Sequence, residues 1–184
     1  MPQLNAAWTA AKVRALPTDG QRYEVVNGRL LVTPAPGLLH QRAVLALALL
    51  LTEFVTRHRL GEVMISPADI QFSDRDLVQP DIFVVPMVEG RRPREWSEIR
   101  TLSLAIEVLS RSTARADRWT KRALYQGAGV TEYWILDLDA RVVERWRPSD
   151  ERPEILSGRI EWKTPQADDP LVIDLEAFFD AVME

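Results

Sequence analysis

Two apolar runs, each interrupted by a single carboxylate, constrain this chain more than any other feature of its sequence. The first run covers residues 78–85 and contains Asp81, and the second covers 102–109 and contains Glu107. Acidic residues are depleted from strands, and burying an unpaired charge is unfavourable. Two acids in two core strands therefore indicate a chemical use for them, and a carboxylate pair is well suited to hold a hard divalent cation.

The alternation of side chains along each run predicts which way the two acids face. Asp81 shares a face with Phe83 and Val85, and Glu107 shares a face with Ala105. Both strands are apolar on both faces, which is typical of a sheet that is covered by helices. An Asp that follows proline is also a common turn residue, so Glu107 carries more of the argument than Asp81 does.

Composition narrows the chemistry that such a site can use. The chain has 184 residues, which fits a single domain over residues 1–184, and it has no cysteine. Disulfides, thiolate catalysis and Cys-ligated metal sites are therefore excluded. His40 and His58 are the only histidines, which disfavours a multi-His site or a His-centred triad. A bound metal would be held by carboxylate oxygens, and this points to Mg²⁺ or Mn²⁺.

The distribution of charge suggests a polyanionic partner. The net charge is −4, but residues 91–122 contain nine Lys or Arg against four acids, whereas residues 150–184 contain ten acids against three bases. The basic segment suits a nucleic acid, although the same arginines are equally consistent with a solvated surface. Residues 1–16 show no signal peptide, and the longest apolar stretch, 43–51, is far shorter than the ~20 residues that span a bilayer. We therefore expect a cytoplasmic protein without a membrane partner.

The order of turn signals and apolar patterns predicts a mixed α/β fold. A short helix is expected to end before Pro17, and Asn27-Gly28 between two apolar runs indicates a β-hairpin. The other predicted elements are helices at 40–59, 114–128 and 175–183, and strands at 62–72, 78–85, 102–109, 132–138 and 141–147. The prolines after residue 147 predict irregular structure up to the last helix. This order favours a mixed β-sheet flanked by helices.

The helix that follows Glu107 adds a lysine to the argument. At about 100° per residue, Asp117, Lys121, Leu124 and Tyr125 fall on one arc, and three arginines at 115, 118 and 122 lean to the opposite side. A surface i,i+4 pair between Asp117 and Lys121 would be worth only a few tenths of a kcal/mol. Because Lys121 shares its arc with Leu124, we favour a lysine that points into the site and stabilises negative charge.

Several of these motifs occur together in one order. Pro80-Asp81 is followed by Glu107-Val108-Leu109-Ser110, and further matches run over about residues 20–147, namely Tyr23-Glu24, Gly28-Arg29-Leu30, His40-Gln41, Asp117, Lys121, Tyr125, Gly129-Val130, Glu132-Tyr133-Trp134 and Asp137. This set resembles the PD-(D/E)XK nuclease superfamily, and most closely the Uma-two family of restriction endonucleases. The resemblance implies a restriction-endonuclease-like mixed sheet flanked by helices, with additional hairpins and a divalent-metal phosphodiesterase site.

The resemblance also assigns roles to individual residues. Asp81 and Glu107 would bind the metal, and Glu24 would be a further acidic member of the site. The superfamily's lysine, expected two residues after the Glu, is replaced by Leu109, and the resemblance suggests that its role has moved to Lys121. Three further residues are candidates for contacts with substrate, namely Tyr125, Arg111 and Arg115. His40 is interpreted as a capping or packing residue rather than as a base.

The leading hypothesis is an Mg²⁺- or Mn²⁺-dependent endonuclease that hydrolyses DNA. One alternative is an inactive nucleic-acid- or protein-binding module of the same fold, which Leu109 and the net acidity motivate. Another is a metal-dependent hydrolase of a small phosphate or sugar substrate. A homodimer or a higher homo-oligomer is also expected, with Trp134, Trp146 and Trp162 as a candidate surface between subunits.

Overall fold

Residues 7–184, which the computed structural model describes, form a mixed α/β fold. The first half contains α1 (Ala10–Arg14), β1 (Arg22–Val26), β2 (Arg29–Thr33), α2 (Leu38–Arg57), β3 (Gly61–Ile65), β4 (Ile70–Ser73), β5 (Asp76–Val78) and β6 (Ile82–Pro86). The second half contains a 3₁₀ turn (Trp96–Glu98), β7 (Leu104–Val108), a π-helical segment (Ala116–Lys121), α3 (Arg122–Gly127), β8 (Glu132–Asp137), β9 (Val142–Trp146), β10 (Glu154–Leu156), β11 (Arg159–Trp162), β12 (Leu171–Asp174) and α4 (Leu175–Met183). No signal peptide was expected in residues 1–16. Residues 1–6 of that segment lie outside the part of the chain that the structure describes.

Two sheets carry the architecture. The larger has six strands in the order β10-β9-β8-β7-β6-β3, and the smaller has four in the order β2-β1-β5-β4. Within the larger sheet β7 and β8 are parallel, and the other neighbouring pairs are antiparallel. The predicted class, a mixed sheet flanked by helices with additional hairpins, is confirmed.

The larger sheet is buried on both faces, as its apolar strands predict. On one face, residues such as Val84 and Ile106 pack with α2 and α4. On the other face, Phe83 and Ala105 pack with α3 and with residues of the smaller sheet, among them Val26. The face shared by Phe83 and Ala105 is the one on which the alternation places Asp81 and Glu107. The site therefore forms between the two sheets.

The hairpin of the smaller sheet follows directly from its sequence. Asn27 and Gly28 both adopt positive φ angles, of 51° and 73°, which a two-residue hairpin turn requires. The turn sets the register of β1 against β2, from Val26 opposite Arg29 to Arg22 opposite Thr33. On β1 the side chains alternate, so that Arg22 and Glu24 lie on the same face as Val26. This face is turned toward the larger sheet.

Two predicted strands are each divided between the sheets. The predicted strand at 62–72 is β3 in the larger sheet and β4 in the smaller, and the chain crosses between them at Ser66-Pro67. The predicted strand at 78–85 is likewise the end of β5 and the start of β6, with Gln79-Pro80-Asp81 between them. Pro80 has no backbone N–H to donate to a neighbouring strand, which explains why the strand is interrupted at this position. Asp81 therefore directly precedes a strand and does not lie within one.

Two expectations for the C-terminal part were wrong. The region after residue 147 was expected to be irregular, but β10 extends the larger sheet and β11 pairs with β12. Trp134, Trp146 and Trp162 were expected to offer a surface between subunits. Their exposed fractions are 1%, 7% and 1%, so all three indoles belong to the core.

The helix α2 covers the outer face of the larger sheet. By length and apolar composition alone, it is the one helix within residues 7–184 that could cross a membrane. Its buried side chains, Ala43, Val44, Leu47, Leu51, Phe54 and Val55, pack against the sheet. This is the placement of a core helix, and it positions His40, in the first turn, at the edge of the space between the sheets.

Candidate active site

The pairing of β6 with β7 brings the two predicted carboxylates together. Ile82 lies opposite Ile106 in this antiparallel ladder, so the next pair in the same register is Asp81 and Glu107. The Val108 backbone N–H donates to Asp81 Oδ2 at 2.9 Å, which ties the Asp81 side chain to the strand of Glu107. Two acids 26 residues apart in sequence are thus neighbours on one face of the sheet.

Asp81 is surrounded by hydrogen-bond donors. Arg22 Nη1 lies 2.9 Å from Oδ1, and His40 Nε2 lies 3.0 Å from Oδ2. Because an ionised carboxylate can only accept, Nε2 of His40 carries the proton in this contact. Burial would raise the pKa of Asp81, but the hydrogen bond and charge of His40, the charge of Arg22 and the Val108 N–H together lower it to about 2. Asp81 is therefore ionised at neutral pH.

Glu107 lies in a more enclosed environment. Its Oε1 accepts hydrogen bonds from Lys121 Nζ at 3.0 Å and from Tyr125 Oη at 2.9 Å, and no bond from the described residues reaches Oε2. Burial raises the pKa of Glu107 well above its usual range, and the nearby carboxylates Asp81 and Asp117 raise it further against the opposing effect of Lys121. Additional positive charge beside Oε2 would therefore be favourable.

Lys121 is the centre of a buried ion cluster. Its ammonium lies 2.9 Å from Glu24 Oε2, 3.0 Å from Glu107 Oε1 and 3.7 Å from Asp117 Oδ1. Burial would lower the pKa of Lys121, but these three carboxylates raise it above the usual lysine value, so the side chain stays charged. Glu24 also accepts from the Gln79 N–H at 2.7 Å, which connects the cluster to the segment that leads to Asp81.

The residues before α3 form a π-helix rather than the predicted regular α-helix. The segment Ala116–Lys121 follows i→i+5 hydrogen bonding, and π-helical turns are frequent at functional sites. Asp117 and Lys121 are nonetheless both buried, as the helical arc predicted. Burial raises the pKa of Asp117 to about 6, although the adjacent Lys121 opposes the shift.

Two adjoining cavities open onto these residues. The smaller has a volume of about 90 Å³, and Asp81, Glu107 and Lys121 line it together with Arg22 and His40. The larger, of about 260 Å³, shares Arg22, His40 and Asp81 with the smaller one. The loop that contains Pro34 and Pro36 borders both cavities. The carboxylates are therefore buried but accessible to a small ion and to a group that enters from the larger cavity.

Comparison with known proteins identifies the family. Residues 10–179 match the Uma2 family, which is described as "Putative restriction endonuclease". The chain belongs to the Uma2 family. The crystal structure of a "putative nuclease belonging to DUF820" from Anabaena variabilis has the same fold, with a TM-score of 0.74 and 19% identity over 95% of this chain and 98% of that one. No curated protein matches the chain. Membership in the Uma2 family supports a nuclease function.

The donor set of this Uma2 site fits a hard divalent cation. Within residues 7–184, no three His, Cys, Asp or Glu side chains are grouped so that they could form a complete metal cage. Mg²⁺ does not require one, because it usually binds through one or two carboxylates and keeps water or phosphate oxygens as its other ligands. Asp81 and Glu107 are two carboxylates of this kind. They fit Mg²⁺ or Mn²⁺ better than a metal that needs nitrogen or sulfur ligands.

Most of the residues predicted for the Uma2 site converge in the structure. Glu24 and Lys121 reach the same cluster as Glu107. Tyr125 also donates a hydrogen bond to Glu107, but it is fully buried and lines neither cavity, so its contact with substrate stays a prediction. Lys121 Nζ reaches Glu107 although the two residues are 14 positions apart, whereas Leu109 packs in the apolar core beside them. The replacement of the superfamily lysine by Leu109 thus does not leave Glu107 without an ammonium partner.

The sequence predicted the arginine and histidine residues near the site less well. Arg111 and Arg115 are exposed and line neither cavity, so their contact with substrate stays a prediction. Gly37 is the N-cap of α2, which means that the capping interpretation of His40 was wrong. Arg22 was missed altogether. Its only sequence signal was its position two residues before Glu24, on the same face of a predicted strand.

Proposed function

We propose that this Uma2 protein is a Mg²⁺- or Mn²⁺-dependent endonuclease that hydrolyses phosphodiester bonds of DNA in the cytoplasm. The observation that carries the proposal is the convergence of Asp81, Glu107 and Lys121 on one cavity. A buried carboxylate pair with a neighbouring ammonium suits phosphodiester hydrolysis, in which negative charge develops on the phosphate and on the leaving oxygen.

Each of the three residues has a distinct part in this proposal. Asp81 and Glu107 would hold the ion, which when bound polarises the phosphate and activates water. Lys121 keeps Glu107 in place through the 3.0 Å contact with Oε1, which would leave Oε2 available to the ion. The positive charge of Lys121 also reduces the repulsion between the acidic cluster and an approaching phosphate.

The surroundings of the site support a polyanionic substrate. Arg111 and Arg115 are exposed and lie between Glu107 and Lys121 in sequence, and neither forms an ion pair with the described residues. In contrast, Arg118 is held by Asp137 and Glu144. We propose that Arg111 and Arg115 contact DNA phosphates beside the site, where they would contribute to affinity without reading sequence.

The test is cleavage of supercoiled plasmid by the purified protein. We expect nicked and linear DNA with added Mg²⁺ or Mn²⁺ and intact plasmid with a chelator, measured by gel electrophoresis. Cleavage that persists in chelator would contradict the metal requirement. DNA binding without cleavage or Mn²⁺ affinity would favour the inactive module, and turnover of a small phosphodiester without DNA affinity at low salt would favour the small-substrate hydrolase.

We also propose that two copies associate through an exposed face of α2. Its exposed leucines are Leu38, Leu39, Leu45, Leu49 and Leu50, and so many on one face are unusual for a monomer. Arg42 and Glu53 lie on the same exposed side, where Glu53 also pairs with the exposed Arg57 of its own helix. In an antiparallel pair about a two-fold axis, Arg42 of each copy would lie beside Glu53 of the other, with the exposed leucines on either side of this pair. The charge pattern is thus complementary to itself, which favours a second copy over an unrelated partner.

Light scattering coupled to size exclusion tests this association. We expect a particle of twice the 21.0 kDa chain mass, and a monomer for the double variant Leu45→Glu with Leu49→Glu. Val172→Glu, an exposed apolar position on β12, is the matched control and should remain dimeric. Arg42→Glu should weaken the dimer, and adding Glu53→Arg should restore it. A monomeric wild-type protein, or a dimer that survives both Leu substitutions, would refute the proposed interface.

A further inference from the structure

The two oxygens of Asp81 are held in different ways. Oδ2 accepts from the Val108 backbone N–H and from His40, whereas Oδ1 accepts from Arg22 at 2.9 Å and from no other described residue. The Val108 N–H belongs to a central strand and cannot move without disturbing the sheet. Oδ2 is therefore fixed by the fold, while Oδ1 is held only by a long side chain that can change its rotamer.

Arg22 occupies the position at which a cation would approach Asp81. Its guanidinium is charged at any relevant pH, and the side chain is 15% exposed, compared with 3% for Asp81. It lines both cavities, and within the described part of the chain its one other polar contact is with the Gln79 carbonyl at 3.1 Å. A divalent ion on Oδ1 and a guanidinium on the same oxygen would repel each other strongly at this distance. Binding of an ion at Oδ1 would thus require that Arg22 move away.

Lys121 provides the contrast. Its ammonium is surrounded by three carboxylates and its side chain is 3% exposed, so it stays in place when a metal binds. Among residues 7–184, Arg22 forms an ion pair with one carboxylate, and it has open space beside it in the larger cavity. Of Arg22 and Lys121, Arg22 is the one that the geometry allows to move.

We propose that Arg22 is an exchangeable counter-ion of Asp81 which becomes a phosphate-binding residue. Without metal it neutralises Oδ1, and when metal takes that place the guanidinium binds a phosphate oxygen of the DNA backbone. The planar fork of an arginine matches phosphate geometry, and the larger cavity gives it room to turn. This inference rests on the proposed metal-dependent function and adds to it a residue that couples metal binding to substrate binding.

Calorimetric titration with Mn²⁺ in the absence of DNA tests the first half of the proposal. Arg22→Gln removes the competing charge, so its Mn²⁺ affinity should exceed that of wild type by roughly fivefold. Arg22→Lys keeps the charge, and its affinity should stay within about twofold of wild type. Arg159→Gln, a surface arginine that pairs with Glu161 on β11, is the matched control and should not change it.

The salt dependence of DNA binding tests the second half. Affinity for a short duplex is measured by fluorescence anisotropy in Ca²⁺, and the recovered DNA is checked for integrity. Loss of one phosphate contact should lower the slope of log affinity against log salt by about 0.9 in Arg22→Gln, but not in Arg159→Gln. Thermal melting shows that each variant is folded.

The possible failures of the proposal and of the function are distinguishable. A wild-type protein that binds no Mn²⁺ overturns the proposed metal-dependent function itself. Wild-type Mn²⁺ binding combined with unchanged or weaker binding in Arg22→Gln overturns the exchange and leaves the function standing. An unchanged salt slope in folded Arg22→Gln overturns the phosphate contact. If Arg22→Gln does not fold, the DNA affinity of Arg22→Lys decides. A lysine can replace arginine in an ion pair with Asp81 but cannot make a bidentate phosphate contact, so the proposal predicts weaker DNA binding and an unchanged affinity would overturn it.

Discussion

Asp81→Asn is expected to abolish metal-dependent DNA cleavage, with a loss of roughly 10³-fold or more. The substitution removes one of two carboxylates that could bind the ion, and the other, Glu107, lies in an environment that raises its pKa. A site left with one buried carboxylate should bind Mg²⁺ more weakly than the pair does. The measurements are the initial rate of plasmid nicking and Mn²⁺ affinity by calorimetry, and both should fall.

The matched control for this substitution is Asp180→Asn. Asp180 is also an ion-paired aspartate, but it lies on α4, pairs with Arg141 and is 63% exposed. Its loss should leave cleavage within twofold of wild type, because an exposed pair is worth about 0–1 kcal/mol. Asp81→Asn itself leaves Arg22 without its carboxylate, so some loss of stability is expected. Mn²⁺ should raise the melting temperature of wild type and not that of Asp81→Asn. Undiminished cleavage by the folded variant would contradict the assignment of Asp81.

The features that sequence predicted best depend on local geometry. The hairpin at Asn27-Gly28 follows from two positive φ angles, and the shared face of Asp81 and Glu107 follows from the two-residue repeat of a strand. Burial of Asp117 and Lys121 followed from helical spacing, and it holds even though the helix is locally of the π type. In each case, the deciding information lies within a few neighbouring residues.

The features that sequence could not supply depend on distant pairings. Arg22 and His40 reach Asp81 across 59 and 41 residues, and no local pattern links them. A run of apolar residues also reads the same whether it forms one strand or two. The sequence therefore predicted one continuous strand at 78–85, whereas in the structure the chain passes from the smaller sheet to the larger at Pro80. The pairing of β11 with β12 brings Arg159 opposite Asp174 and was missed for the same reason.

Lys121→Met is expected to lower the free energy of unfolding by about 3–5 kcal/mol at neutral pH. Methionine has nearly the length of lysine but no charge, so the three carboxylates of the cluster would face one another without a cation. For a chain of this size, such a loss lowers the melting temperature by about 10 °C. Urea or thermal unfolding measures it. Lys163→Met, on an exposed lysine that pairs with Glu161, is the control and should change stability by less than about 0.5 kcal/mol.

The pH dependence of this loss separates lost charge from lost packing. Without Lys121, the pKa values of Glu107 and Asp117 rise further above their unfolded values, so the folded state binds more protons than the unfolded state. Stability then falls as pH rises and returns as pH falls. The deficit of Lys121→Met relative to wild type should accordingly be larger at about pH 8 than at about pH 5. A deficit caused only by altered packing would be the same at both.

A second substitution within the cluster should rescue part of the loss. Glu24→Gln removes one negative charge, and the glutamine oxygen can still accept the hydrogen bond that Gln79 N–H donates to Oε1. Alone, it should destabilise the protein because Lys121 loses a partner. Combined with Lys121→Met, it should recover about 1 kcal/mol or more, since fewer unpaired charges remain buried. A double variant that is no more stable than Lys121→Met alone would contradict this account. It would mean that Glu24 and Glu107 do not repel each other when the buried ammonium is absent.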